Sequence, residues 1–161
     1  MATNSVAYRF MKEESADILG PLDNAPAYRV YRLSRLLRHN LRRILGTAGL
    51  DVSPEQYFML YKLHQKDGVP QAQLADPAFG DYPNMTRMID GLEKKGLVER
   101  KNDPEDRRRY MIMLTEKART QMRALEPAIV EERALIHTAF NEDEINQMME
   151  FLARFQRLIE K

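Results

Sequence analysis

The sequence contains no cysteine and no tryptophan among its 161 residues. Without thiols the chain has no disulfide, no cysteine-based zinc site, no iron–sulfur cluster and no cysteine nucleophile. No apolar run approaches the ~18 residues that a membrane span needs, and residues 1–15 lack the apolar stretch of a signal peptide. We therefore expect a cytoplasmic protein that forms one compact domain overall.

The sequence also lacks an excess of either charge, because 25 Lys and Arg residues balance 24 Asp and Glu residues. Any affinity for nucleic acid must then come from where the charges lie. Residues 126–150 hold seven acidic residues and one arginine. The segment 27–49 has no acidic residue and carries Arg29, Arg32, Arg35, Arg38, Arg42 and Arg43. This complementarity predicts that the two ends of the chain pack together, within or between subunits.

Apolar residues recur at three- and four-residue steps through most of the chain, which predicts a mainly α fold. Capping and stop signals place the helices at 27–49, from Ser53, at 71–75, from Pro83 to Gly96, from Thr115 to about 139, and from Asn141 onward. Leu97–Lys101 and Tyr110–Leu114 are predicted to form a small β-hairpin around a charged loop. The last helix has a wide apolar stripe, which predicts a partner surface.

The helix that Pro83 opens has one apolar face, formed by Met85, Ile89 and Leu92, and a polar face opposite it. A single helix fits the DNA major groove, where side chains near its amino end read base edges. The short helix at 71–75 precedes it. The connector at 76–82 makes the spacing between the two helices longer than in an ordinary helix-turn-helix. We therefore predict a recognition helix whose DNA-binding residues are Asn84, Met85, Thr86, Arg87, Asp90 and Lys94.

The loop of the predicted hairpin carries three consecutive arginines, Arg107, Arg108 and Arg109. Guanidinium groups on a hairpin tip suit the minor groove, where a narrow groove enhances the negative potential. Asp106 lies two residues before Arg108 and is predicted to orient it. We predict that these four residues form a wing that binds DNA beside the recognition helix.

At this point the sequence resembles the MarR family of winged-helix transcription regulators. The match covers TRMIDGLEKKGLVERKNDPEDRRRYMIMLT at 86–115, with the wing signature at Asp106, Arg108, Leu114 and Thr115, and SPEQYFMLYKL at 53–63 is similar to the second helix of the family. Gly20, Pro21 and Pro26 mark residues 1–26 as an N-terminal arm. The resemblance implies a winged helix-turn-helix DNA-binding region at 51–115 and a helical dimerisation region at 27–50 and 116–161, formed by the first and last helices.

The resemblance further implies a homodimeric repressor that binds a pseudo-palindromic operator on double-stranded DNA and is released by a small aromatic or phenolic ligand. The helices that flank the ligand pocket of the family correspond to two helices here, whose candidate ligand-binding residues are Tyr31, Arg35, His39, Tyr57, Phe58 and Tyr61. The chain departs from the family at Gly91, where arginine is common, and in its longer connector at 76–82.

Two other classes of function differ from this expectation. A winged-helix protein–protein interaction module without DNA-binding activity would use the same fold and the same wide terminal stripe. An enzyme would need a nucleophile with its base, paired carboxylates in a cleft, a phosphate-binding loop or a metal motif, and the sequence shows none of these. The three histidines lie on separate helices without ligand spacing, so we expect no enzyme activity, no cofactor and no metal.

Overall fold

The computed structural model describes residues 21–76, 79–104, 106 and 109–160. Within these residues it has five α-helices and three short strands. The helices are α1 (Pro26–Thr47), α2 (Pro54–Gln65), α3 (Tyr82–Lys94), α4 (Glu116–Ala139) and α5 (Glu142–Ile159), and the strands are β1 (Val69–Pro70), β2 (Val98–Asn102) and β3 (Tyr110–Leu114). Short 3-10 turns cover Leu22–Asn24 and Gln71–Leu74. The predicted mainly α architecture with a β-hairpin is confirmed.

The chain divides into two compact units, with the boundary between Leu41 and Arg42, inside α1. The described part of the first unit is the turn at Leu22–Asn24 and the following four turns of α1, whose side chains are largely exposed. The second unit contains the other helices and the sheet. The division into an arm, a dimerisation region and a DNA-binding region stays a prediction, and residues 1–20 of the arm lie outside the described residues.

The sheet is antiparallel with the strand order β1–β3–β2. The predicted hairpin is present, with its first strand one residue later than expected, and its register pairs Val98 with Leu114 and Arg100 with Ile112. Strand β1 was not predicted, and it adds a third strand by pairing Val69 with Ile112. Two residues are too short to show the alternation by which a strand is recognised, so only the paired neighbour reveals this strand.

The second unit has one apolar core, to which α2, α3, the sheet and α4 each contribute. Leu60 of α2, Ile89 of α3, Ile112 of β3 and Leu125 of α4 are at most 1% exposed. Helix α2 begins with a capping box, in which Ser53 accepts from the backbone of Gln56 while the Gln56 side chain accepts from the backbone of Ser53. The core therefore holds the apolar side of α3 against the sheet.

Asp67, in the turn before β1, joins three elements of the second unit. Its carboxylate accepts a hydrogen bond of 2.8 Å from the backbone N–H of Leu114 and pairs with Arg119 of α4. Thr115 caps α4 and also donates to the carbonyl of Gly96, at 2.8 Å. These contacts hold the start of α4 at the base of the hairpin. In the described part of the chain, no helix is long and apolar enough to cross a membrane.

Candidate nucleic-acid interface

Helix α3 has a buried side and an outward side, as its periodicity predicts. Asp81 caps the helix by accepting from the backbone N–H of Asn84 at 2.9 Å. Arg87 and Lys94 are exposed on the outward side. Met85, by contrast, is only 1% exposed, so the prediction that it contacts DNA is wrong. Its position in the apolar stripe places its side chain in the core.

Asn84 has a structural contact that the sequence did not indicate. Its side-chain nitrogen donates a 2.6 Å hydrogen bond to the carbonyl of Phe79, which is itself 2% exposed. The bond ties the first turn of α3 to the connector that precedes it. Because that nitrogen faces the connector, Asn84 helps to set the entry of α3 and does not present its whole amide to a base edge.

Asp90 is held by the sheet. Arg100 of β2 donates to the Asp90 carboxylate at 2.6 Å and also pairs with Glu93, one turn further along α3. The Arg100 side chain is 18% exposed, whereas the two carboxylates are 47% and 41% exposed. The hydrogen bonds and charges of both acids raise the pKa of Arg100 against the opposing effect of its burial. Asp90 therefore links α3 to the first strand of the hairpin.

Gly91 lies where α3 approaches α2. A Cβ added at this position would lie 3.0 Å from Nε2 of Gln56, and the same nitrogen is 3.5 Å from the Met88 carbonyl, to which it donates. Gln56 is held at this point because its other amide atom takes part in the capping box of α2. A glycine at position 91 therefore leaves room for this link between the two helices, and a Cβ there would require the Gln56 amide to shift by a few tenths of an ångström.

At the tip of the hairpin, Asp106 pairs with Arg109, whose Nε lies 3.4 Å from the Asp106 carboxylate. The backbone closes the loop with a bond from the N–H of Arg109 to the carbonyl of Asp106 at 2.9 Å. The Arg109 side chain remains 67% exposed. Arg107 and Arg108 lie outside the described residues, so the predicted orientation of Arg108 by Asp106 stays a prediction.

A pocket of about 180 Å³ lies between α2 and α4. Of the ligand-binding candidates it brings together Tyr57 and Tyr61, while Phe58 lies outside its lining and is 48% exposed. The remaining candidates, Tyr31, Arg35 and His39, are exposed on α1. The lining also includes residues that the sequence analysis did not select: His64, Met122, Arg123, Leu125, Glu126, Ile129, Val130 and Arg133. Their three- and four-residue spacing along each helix is the sequence signal that places them on one face.

Arg133 gives the pocket its electrostatic character. Its guanidinium lies 5.5 Å from the centre of the Tyr61 ring. A side-chain hydrogen bond from Arg133, together with its charge, lowers the pKa of Tyr61. Tyr57 shows the opposite effect, because its burial raises the pKa of its hydroxyl, and the charge of Arg133 only partly offsets that rise. The pocket therefore combines aromatic walls with a cation that favours an anionic oxygen.

This assignment predicts a change in the titration of Tyr61. Replacing Arg133 by methionine should raise the pKa of Tyr61 toward its ordinary value, because both the hydrogen bond and the charge are lost. Ultraviolet absorbance titration of tyrosinate measures the change, and the difference from a Tyr61→Phe variant isolates the residue. Arg123→Met, which removes another arginine from the same lining, is the control. Equal Tyr61 pKa values in the parent and in Arg133→Met would contradict the assignment.

The fold is that of a winged helix-turn-helix protein. It has a short turn followed by a helix with a polar outer side, and a charged hairpin whose sheet supports that helix. Residues 52–110 match the model of the MarR family. Over this stretch the resemblance of the chain to the MarR family is confirmed. The match covers most of the predicted DNA-binding region, from the capped start of α2 to the first residue of β3.

Solved structures share this fold. The transcriptional repressor CouR, bound to a 23-mer DNA duplex, has a TM-score of 0.73 at 24% identity, over 86% of this chain and 96% of that chain. MepR from S. aureus, in its DNA-binding conformation, has a TM-score of 0.72 at 25% identity over 84% and 98%. PcaV from Streptomyces coelicolor, in complex with its natural ligand, has a TM-score of 0.68 at 22% identity over 85% and 95%.

Proposed function

We propose that this protein is a transcriptional regulator of the MarR type, a sequence-specific repressor that binds double-stranded DNA in the cytoplasm. The observation that carries the proposal is the outward side of α3. That side presents the exposed cations of Arg87 and Lys94, while Arg100 fixes the same helix to the hairpin and Arg109 is exposed at the hairpin tip. A helix supported in this way suits a major groove, and an arginine-bearing hairpin suits the adjacent minor groove. The DNA duplex bound by CouR, which shares the fold, supports the same assignment.

We infer that the protein acts as a homodimer. Two apolar surfaces support this inference, one in each unit. Val30, Leu33 and Leu37 follow helical spacing on α1 and are 37–52% exposed. On α5 the exposed residues Met149, Phe151, Leu152, Leu158 and Ile159 are 41–68% exposed. Apolar surface of this extent is typical of a protein interface, and a symmetric dimer would place two recognition helices ~34–36 Å apart, at successive major grooves of a pseudo-palindrome.

We further propose that a small aromatic or phenolic ligand in the pocket between α2 and α4 releases the DNA. The aromatic walls formed by Tyr57 and Tyr61 and the guanidinium of Arg133 support a planar ligand with an anionic or phenolic oxygen. The pocket and α3 share a supporting element, because α2 carries both tyrosines and also Gln56, which contacts α3. PcaV, which shares the fold, is solved with its natural ligand.

The salt dependence of duplex binding tests the central proposal. Neutralising phosphates releases counterions, so the logarithm of the association constant should fall linearly with the logarithm of the salt concentration. Arg87→Ala should make this slope shallower by about one, because it removes one phosphate contact. Arg157→Ala, an exposed arginine on α5, is the control and should leave the slope unchanged.

Fluorescence anisotropy with duplexes selected from genomic or random DNA measures these slopes. Binding that does not depend on salt, or no binding to any duplex, would contradict the proposal. A stable dimer that is indifferent to DNA would instead support the protein–protein interaction module.

A further inference from the structure

Three polar side chains meet at the amino end of α3. Nε2 of Gln71, in the 3-10 turn before the connector, donates to Oγ1 of Thr86 at 3.0 Å and lies 3.4 Å from the hydroxyl of Tyr82. Tyr82 is the first residue of α3 and is 58% exposed. The sequence analysis selected Thr86 alone from this cluster. Tyr82 lies one helical turn before Thr86 on α3, whereas Gln71 lies 15 positions before Thr86 and contacts it only in the folded chain.

These bonds determine which polar groups stay available on the surface of the cluster. The Thr86 hydroxyl donates its hydrogen to the Tyr82 carbonyl at 3.1 Å and accepts from Gln71. The two N–H groups of Gln71 are directed to Thr86 and to the Tyr82 hydroxyl. Gln71 then presents Oε1 as an acceptor, and Tyr82, whose oxygen accepts from Gln71, presents its hydroxyl hydrogen as a donor. The surface of the cluster therefore has a hydrogen-bond acceptor, Oε1 of Gln71, beside a hydrogen-bond donor, the hydroxyl of Tyr82.

We propose that Gln71 and Tyr82 read one adenine in the major groove, and that Thr86 positions Gln71 for this contact. The proposal rests on the DNA-binding function proposed above. Adenine presents N6–H₂ as a donor beside N7 as an acceptor, which complements Oε1 of Gln71 and the hydroxyl of Tyr82. Guanine presents the acceptors O6 and N7, and thymine presents the acceptor O4, so either base would place an oxygen against Oε1. Cytosine offers the donor N4–H₂ but lacks N7.

Asn84 is the other amide near the start of α3, and its contacts do not compete with this assignment. Its side-chain nitrogen donates to the carbonyl of Phe79 at 2.6 Å. Among the described residues, by contrast, the amide nitrogen of Gln71 donates to two hydroxyls of α3, those of Thr86 and Tyr82. Only Gln71 of these two amides contacts the Tyr82 hydroxyl, so we assign the acceptor of the acceptor–donor pair to Gln71, on the element before α3.

Selection of bound duplexes from a random pool, followed by sequencing, tests the proposal. The parent protein should select half-sites in which one position is strongly adenine. Gln71→Ala should reduce the preference at that position roughly tenfold while the other positions keep theirs. Tyr82→Phe should reduce the preference of adenine over cytosine at the same position, because it removes only the donor to N7. Gln73→Ala, an exposed glutamine in the same turn, should select the parent sites.

The positioning role of Thr86 has its own test in the same selection. Thr86→Val removes the acceptor that holds Gln71 and should weaken the preference for adenine at the same position, whereas Thr86→Ser should restore it. A selected site that is unchanged in Gln71→Ala, or a loss spread evenly over all positions, would overturn the proposal while leaving the DNA-binding function intact. If the parent protein enriches no duplex, the proposed function fails, and this inference fails with it.

Discussion

Replacing Arg100 by methionine should lower the free energy of unfolding by about 1.5–3 kcal/mol, which is the cost of losing hydrogen bonds to charged groups. The side chain is 18% exposed and pairs with two carboxylates of α3, those of Asp90 and Glu93. Methionine keeps much of the length and the apolar contact of the arginine stem. The loss therefore measures the two ion pairs, whose acids remain near each other without their shared cation.

Urea unfolding, followed by circular dichroism, measures this change. Lys101→Met is the matched control, because Lys101 lies on the same strand and its pair with Glu99 is exposed on both sides, 55% and 46%. An exposed pair contributes ~0.2–1 kcal/mol, so the control should change stability by no more than that. If the two variants were equally stable, the ion pairs of Arg100 with Asp90 and Glu93 would not be what holds β2 against α3.

The same substitution should weaken binding to every duplex, because α3 would lose its fixed angle to the hairpin. Arg100 sets the orientation of α3 and contacts no base edge, so the order of preference among duplexes should stay that of the parent protein. Comparison of Arg100→Met with Arg87→Ala separates the two roles, since only the latter removes a cation from the outward side of α3.

Replacing Leu152 by lysine should convert the proposed dimer into a monomer and lower the affinity for a palindromic duplex by roughly 10²–10⁴-fold. Leu152 is 41% exposed on the apolar side of α5, where a buried ammonium in a dimer would be strongly unfavourable. The affinity falls by this factor because a dimer binds its second half-site at a high effective concentration, and a monomer cannot.

Light scattering and duplex titration of the same samples test this prediction. Asn146→Lys is the matched control, since it adds the same charge at an exposed position on the polar side of α5 and should keep both the dimer and the affinity. A monomeric Leu152→Lys variant that binds the palindrome as tightly as the parent protein would show that dimerisation does not serve DNA binding.

The order of elements could be predicted from the sequence because its signals are local. The capping residues Ser53 and Thr115 and the three- and four-residue apolar steps depend only on neighbours along the chain, and α2 and α4 begin where these signals place them. Helix α3 begins at Tyr82 after the cap Asp81, one residue before the predicted start at Pro83. The hairpin was recognised in the same way from the β-like run at Tyr110–Leu114. The wing signature and the recognition helix were then enough to indicate the family, because their spacing is also local.

The roles of individual side chains in the candidate site were less accessible. The same apolar period that predicted α3 already placed Met85 in the core, so its assignment to DNA did not follow from the pattern. Asp90 and Asn84 read as surface residues, yet the first is bound by Arg100 across the sheet and the second by the Phe79 carbonyl. Such contacts join residues that the folded chain brings together, and no periodicity reports them.

Capping residues and apolar periodicity thus determine where helices and strands begin and end and which of their faces are apolar. Both signals follow from the order of residues alone. Which polar groups remain available to DNA is a matter of hydrogen-bond partners in space. Gln71 contacts Thr86 at the amino end of α3 although the two residues are 15 positions apart, and the tight space beside Gly91 comes from Gln56 of another helix. Hydrogen bonds and close packing act over a few ångströms, so they depend on the assembled fold.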